Sequence, residues 1–332
     1  MHWLEQYWYR LSPPHLVLWP LSLLFAALAA SRRLLYRCGL LAVTRLPAPV
    51  IVVGNINVGG TGKTPFVIWL AAQLRERGYR PGVVCRGYGG SARTPQGATS
   101  GSDPGVVGDE AVLLARRCAC PVWVGTRRAA AAHALLAAHP ECNVIVSDDG
   151  LQHYALARNI QIAVIDGERG FGNGMLLPAG PLREPLRRLA GLDALVVNGS
   201  PLFPREALPS RVPAFDMRLR DNMFYNLIDP AQQAGPAHFA GQHMHAVTAI
   251  GNPQRFFEHL RELELSFTAH PFPDHHAFSA TDLAFDNADA ILMTEKDAVK
   301  CERFGKGNFW ALRVDAEVDP ALGDLILRNL GQ

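Results

Sequence analysis

Eight consecutive residues, Asn57-Val58-Gly59-Gly60-Thr61-Gly62-Lys63-Thr64, have the types and spacing of a loop that wraps phosphate. Glycines let backbone N–H groups converge on phosphate oxygens, and a helix that starts at the loop's end adds its partial positive charge. Lys63 is placed to reach the β- and γ-phosphates of a nucleotide, and the Thr64 hydroxyl to help hold Mg²⁺. The sequence departs from G-x-x-x-x-G-K-[ST] only at the first glycine, which is Asn57. Asparagine tolerates left-handed geometry better than other non-glycine residues, so the loop can still close. ATP with Mg²⁺ is the ligand chemistry this loop implies.

A phosphate loop needs carboxylates for its metal. Residues 143–150 read NVIVSDDG, an apolar strand ending in Asp148 and Asp149, and either can coordinate Mg²⁺ directly or through water. Asp109, in GDE ahead of AVLLARR, is a candidate general base, although an acidic pair also suits a helix's first turn. Arg86 and Tyr88 follow a strand-like GVVC, where Arg86 either meets a phosphate or belongs to a surface turn. Gln152 and His153 lie a turn past the aspartates and are placed to line the pocket. In RGFGNGMLLPAGPLREP the Gly and Pro density marks a shaped loop. There Asn173 reads as a nucleotide or substrate contact and Arg183 as a contact to an anionic group. Lys296, in TEKD, is either a second-lobe contact or a surface lysine.

The remaining metal-like patterns are weaker. His243 and His245 form an H-x-H without a third ligand, and the six cysteines lack zinc spacing, with Cys118 and Cys120 read as buried thiols.

Residues 50–53 are a β-branched run closed by Gly54, as a buried parallel strand requires. After the loop, Phe66, Val67, Leu70, Ala71 and Leu74 recur at helical spacing. Strand-like and helix-like segments then alternate through IQIAVID, ALVVNG, HAVTAIG, QRFFEHLRELEL, AILMTEK, NFWALRV and PALGDLILRNL. The expectation is an α/β fold: a P-loop NTPase-type core with parallel sheet throughout, joined to a second, smaller α/β lobe. The polar stretch at about 200–241 reads as an irregular break. The chain then divides into an anchor (1–45), a P-loop lobe (46–205) and a second lobe (206–332). His275 falls on the second lobe and the other candidates on the first, which implies a cleft that closes on ATP.

Residues 16–30, LVLWPLSLLFAALAA, carry no charge; aromatics (Trp3, Tyr7, Trp8, Tyr9) precede them and Arg32, Arg33, Arg37 and Arg45 follow. As a helix they span roughly 22 Å, short of the ~30 Å hydrocarbon core, and Pro20 interrupts the pattern. A cleaved signal fits Glu5 and the aromatic approach badly, and a full span needs the helix to run past Ser31. A membrane-associated helix lying in the interface fits the length best.

The whole chain has 32 basic and 30 acidic residues among 332, which gives no sign of the basic field of a nucleic-acid binder. That near balance hides a split. Five Arg and one Glu give residues 1–45 a charge of +4, leaving −2 for the rest. Only four of the basic residues are lysines: Lys63, Lys296, Lys300 and Lys306. Nothing in the sequence implies a protein partner.

No N-K-x-D motif is present, which argues against a GTPase, and Val58 stands where MinD-like ATPases carry a signature lysine. A membrane-peripheral ATPase of the MinD-like kind, without lipid phosphorylation, is the alternative to a small-molecule kinase. Seven segments in order, GNINVGGTGKTP (54–65), RGYGG (86–90), VGDE (107–110), SDDGLQH (147–153), LLPAGPLREP (176–185), PDHH (273–276) and MTEKDAVK (293–300), resemble the tetraacyldisaccharide 4′-kinase family, the lipid A 4′-kinases of Gram-negative bacteria. The resemblance runs from the hydrophobic N-terminal segment to near the C-terminus. It implies transfer of the γ-phosphate of ATP to the 4′-hydroxyl of an acylated glucosamine disaccharide 1-phosphate, giving lipid IV-A. The reaction would take place at the cytoplasmic face of the inner membrane, against the bilayer surface. It also carries the family's catalytic aspartate onto Asp109 and its Asp-His motif onto His275, and gives no such support to His276.

Overall fold

The computed structural model describes residues 8, 9 and 14–331; Trp3, Glu5 and Tyr7, used above to weigh the N-terminus, lie outside the described residues. Among the described residues the first helix is α1 (Pro14–Arg37), longer than the charge-free run that predicts it. Pro20 lies inside α1 without ending it. One stripe of α1 faces the protein: His15 and Ser22 are buried, Leu18, Phe25, Ala29, Arg33 and Tyr36 half-buried, and most of the rest exposed. The Ser22 hydroxyl donates to the Leu176 carbonyl (2.9 Å) and accepts from the Ala179 N–H (3.0 Å). Residues 17–37 are long and apolar enough to cross a membrane by length and composition.

The body alternates β1 (Val50–Gly54), α2 (Lys63–Glu76), β2 (Pro81–Cys85), β3 (Gln96–Ala98), α3 (Asp109–Arg117), β4 (Val122–Val124), α4 (Arg128–Ala138), β5 (Val144–Ser147), β6 (Ile160–Asp166) and β7 (Ala194–Asn198). Then come β8 (Ala214–Asn226), β9 (Gln233–Ala234), β10 (Met244–Thr248), α5 (Pro253–Glu262), β11 (Phe267–Pro271), β12 (Ala290–Thr294), α6 (Glu295–Cys301), β13 (Phe309–Val318) and α7 (Pro320–Leu330). The strands form one sheet in the order β11-β10-β12-β13-β8-β7-β6-β1-β5-β2-β4-β3, with β9 on β8. Strands β1, β2, β5 and β7 are buried on both faces, as parallel strands covered by helices must be.

Two expectations are corrected. The sheet is mixed, because β8 pairs antiparallel with β13 and with β9, and β3 with β4. The stretch expected to be irregular holds β8, whose thirteen residues make it the longest strand. Phe215 and Met217 alternate with polar neighbours on it, and the polar pair Asp221-Asn222 then breaks the pattern and hides the strand from a sequence reading.

β8 positions the site. It pairs with β7 over 214–217 and with β13 over 217–226, so about 30 Å of it, at roughly 3.3 Å per residue, extends beyond the first half-sheet. β13 runs back along this extension, with β12 and β10 parallel to it. The carboxyl ends of the two half-sheets therefore point toward each other, and those ends are where α/β sheets hold ligands. β13 also returns the chain to the first half. There Leu322 and Ile326 of α7 join the core of Ile51, Phe66, Leu70 and Val146, although they follow residue 206 in sequence.

Candidate active site

The phosphate loop lies between β1 and α2, as its sequence requires. Gly59 and Gly62 supply the left-handed turns, with φ of 105° and 87°. Gly62 caps α2 without a side-chain acceptor, so the first N–H groups of the helix point out of the loop. A Cβ on Gly62 would lie 2.7 Å from Asn198 Nδ2, and that amide also donates to the Thr61 carbonyl (3.3 Å). Asn57 does not take left-handed geometry as expected. It is buried and donates from Nδ2 to the Gly170 carbonyl (2.6 Å). The Val58 N–H donates to the Pro181 carbonyl (2.8 Å) and the Arg183 N–H to the Ile56 carbonyl (2.6 Å), so the 176–183 segment supports the loop from behind.

Asp149 takes φ 47° just past β5 and faces Lys63 Nζ at 3.5 Å and Arg183 Nη1 at 3.0 Å. Burial alone would raise its carboxyl, but Lys63 and Arg183 outweigh that and hold it well below the usual range. Arg183, expected to meet an anion, thus has the protein's own carboxylate as its partner. Asp148 behaves oppositely: burial, reinforced by the Glu110 charge, pushes it up to about 7 against the pull of Lys63. Its Oδ1 is buried without a hydrogen-bond partner among the described residues. Thr64, Asp148 and Asp149 are hard oxygen donors beside the phosphate loop, and an unclaimed buried carboxylate oxygen suits Mg²⁺.

In the same half of the molecule, Asp109 begins α3 with only 4% exposure. Its Oδ1 accepts from the Glu110 N–H (2.8 Å), and its Oδ2 lies 3.2 Å from His275 Nδ1. Burial would raise Asp109, but the His275 hydrogen bond, Lys296 and Lys300 together hold it below its ordinary value. Gly108 makes this approach possible. At φ 90°, a Cβ there would sit 2.6 Å from the Tyr88 carbonyl, so the RGYGG and VGDE backbones pack directly on each other. The Tyr88 ring packs against His275 at a tilt of 53° with centroids 4.8 Å apart, and the His275 backbone N–H donates to the Ala249 carbonyl (3.1 Å), just beyond β10.

The MTEKD segment fastens the two halves at this point. Glu295 pairs with Arg117 of α3, and Lys296 Nζ meets Glu110 Oε1 at 2.9 Å. Asp297 Oδ2 accepts from Thr248 Oγ1, Thr294 Oγ1 and the Ala249 N–H. Sequence reading left Lys296 ambiguous and missed Glu295 and Asp297. Their signal was the run of charged residues directly after a buried strand.

The remaining candidates divide. Arg86 is exposed, and Arg86, Arg128 and Arg32 lie close enough to His153 to act on its charge. Burial, then Arg128, pushes His153 down to about 4. Gln152 Nε2 donates to the Asn55 carbonyl and to Glu184 Oε1, both at 3.0 Å. Asn173 does not face the nucleotide loop's cleft contacts: its amide binds the Ala179 carbonyl (2.9 Å), His15 Nε2 (3.2 Å) and the Met175 N–H (3.0 Å), which ties its loop to α1. Glu184, which sequence reading overlooked, is buried and receives Arg33 of α1 (2.7 Å) and the Tyr154 hydroxyl (2.8 Å). His245 pairs with His270 (2.9 Å), and among the described residues no three metal-ligating side chains of the His, Cys, Asp or Glu type cluster.

A family model described as Tetraacyldisaccharide-1-P 4'-kinase matches residues 14–331. The chain belongs to that family. Tetraacyldisaccharide 4'-kinases of Methylobacillus flagellatus and Dechloromonas aromatica are 52% and 51% identical to it, each over 99% of the chain and 96% and 97% of their own lengths. The crystal structure of LpxK from Aquifex aeolicus in complex with ATP superposes with a TM-score of 0.81 at 28% identity, covering 95% of this chain and 99% of that one. At that coverage the likeness takes in both halves of the sheet described above.

Proposed function

We propose that this chain transfers the γ-phosphate of ATP to the 4′-hydroxyl of tetraacyldisaccharide 1-phosphate, giving lipid IV-A and ADP in lipid A biosynthesis. The observation that carries the reading is the pairing of Asp109 with His275 across two facing strand edges, with the phosphate loop on one of them. Gly59, Gly60, Thr61, Gly62 and Lys63 cradle the phosphates. Asn57 and Val58 hold the loop's shape, since their polar groups are committed to Gly170 and Pro181. Lys63 releases Asp149 to bind the γ-phosphate as charge builds on its oxygens. Asp109 Oδ2 takes the proton of the 4′-hydroxyl as the new P–O bond forms and the bridging bond to ADP breaks. His275 orients that carboxylate. Thr64, Asp148 and Asp149 would hold Mg²⁺, which when bound neutralises β- and γ-phosphate charge. On the acceptor side exposed Arg86 would favour an anionic headgroup, Tyr88 and neutral His153 would line it without charge, and Arg183 would meet it only on leaving Asp149, whereas Asn173 acts by fixing the loop against α1.

We read residues 46–205 together with α7 as the nucleotide lobe and the strands from β8 to β13 as the second lobe. The anchor lies in the interface of the inner membrane, with the site on the cytoplasmic side. The support for the interfacial placement is that α1 docks on the body from His15 on Asn173 to Tyr36 on Tyr154, and for the cytoplasmic side that the site uses ATP. A spanning helix would carry the Arg33–Glu184 pair and its neighbours into hydrocarbon. A tetraacylated substrate stays in the same surface.

The test is incubation of the purified chain with γ-labelled ATP, Mg²⁺ and the disaccharide lipid in detergent micelles. Label is expected in the lipid, and label released only as free phosphate would reject the kinase.

A further inference from the structure

A buried ammonium stands behind the Asp109–His275 pair. Lys300, on the inner face of α6, has 9% of its side chain exposed and borders a pocket of about 550 Å³ that Tyr88, Asp109, His275 and Phe278 also line. Its Nζ lies 2.8 Å from Asp297 Oδ1, 3.9 Å from Asp109 Oδ2 and 5.3 Å from the Phe278 ring centroid. The approach to Asp297 is close, but its angle falls outside hydrogen-bond geometry, and the ammonium makes no hydrogen bond among the described residues. A buried cation is tolerated only beside opposite charge, so two carboxylates share this one.

The charges around Asp109 come from three sides. Glu110 is on its own helix, His275 with Asp274 reaches it from the loop after β11, and Lys296 and Lys300 reach it from α6. The Tyr88 ring packs at a tilt against His275 from the loop after β2. Lys296 is neutralised by Glu110 at 2.9 Å. Asp297, the other partner of Lys300, already takes three donors on its second oxygen. Asp297 holds Lys300 as closely as Glu110 holds Lys296, but of the two lysines it is Lys300 whose ammonium pairs with an Asp109 oxygen, at 3.9 Å, among the described residues.

We propose that Lys300 is a positioning residue for phosphoryl transfer: held by Asp297, its ammonium keeps the Asp109 carboxylate charged and turned toward His275 and the acceptor hydroxyl. The role rests on the kinase reading above, but one of its tests does not. Asp109 would be titrated directly by carbon NMR of aspartate-labelled protein, its signal assigned by loss in Asp109→Asn. In Lys300→Met the Asp109 titration moves to higher pH, and Lys300→Arg, which keeps the charge, restores it. In the lipid kinase assay the acidic limb of kcat moves the same way. On that limb kcat falls about tenfold, the weight of one neighbouring opposite charge, while KM for ATP changes by less than about twofold. If the methionine variant does not fold, Lys300→Gln carries the same comparison. An unmoved Asp109 titration in a folded variant, or an arginine variant that behaves like methionine, overturns the proposal. Failure of the wild-type chain to phosphorylate the lipid would reject the kinase reading alone and leave the titration result to stand.

Discussion

At Asp109 burial works against ionisation, and the second half of the molecule supplies the charges that reverse it. Three of the four lysines end beside carboxylates of this site: Lys63 at Asp149, Lys296 at Glu110 and Lys300 at Asp109 and Asp297. Asp109→Asn keeps the shape but cannot accept a proton, so steady-state assays should give kcat lower by about 10²–10⁴-fold with KM for ATP little changed. His153 makes a separate prediction. Its folded value of about 4 lies below the ordinary 6.5, so the unfolded chain takes up a proton first as pH falls. The neutral imidazole is costless to folding above 6.5, and stability is lost as pH drops from there through about 4. Denaturant titrations across that range should show a shallower loss in His153→Leu than in the wild type.

At the scale of elements, α2 and α3 each begin at a glycine that admits no side chain. Gly62→Ala forces a Cβ against Asn198 at left-handed φ. Strain of this kind costs about 1–3 kcal/mol and should appear both in urea unfolding and as a raised KM for ATP. α3 joins the halves through Arg117, which meets buried Glu295 and also Asp315. Arg117→Met leaves Glu295 buried without its cation, a loss of about 3–5 kcal/mol expected in equilibrium unfolding. The RGYGG and VGDE motifs explain each other at this scale, because Gly87, Gly90 and Gly108 leave no Cβ where the backbone of one segment meets that of the other.

For the whole molecule, α1 turns Leu21, Leu24 and Leu28 outward at 52–63% exposure while its inner stripe docks on the body. Each leucine gains about 1.5–3 kcal/mol on burial, so replacing all three with Ser should release the protein from anionic vesicles in flotation assays. Thermal stability of the body should hold, since none of the three is buried in the fold. The basic N-terminal segment and slightly acidic remainder suit the same reading, and each Arg at an anionic surface adds about 1 kcal/mol that salt removes.

The phosphate loop, β1, α2 and the Asp148-Asp149 turn were legible in the sequence because each depends on contiguous residues whose periodicity or backbone freedom is local. The apolar N-terminal helix was legible for the same reason, though its extension past Ser31 was not, since Arg32 and Arg33 interrupt the hydropathy while leaving helix propensity intact. What the tertiary structure decided was everything set by β8. Its antiparallel pairing with β13 turns one half-sheet to face the other, returns α7 to the first core and brings residues 166 positions apart into the Asp109–His275 contact. Strand pairing is a long-range choice, fixed by which faces bury together across the whole sheet, and no local window carries it.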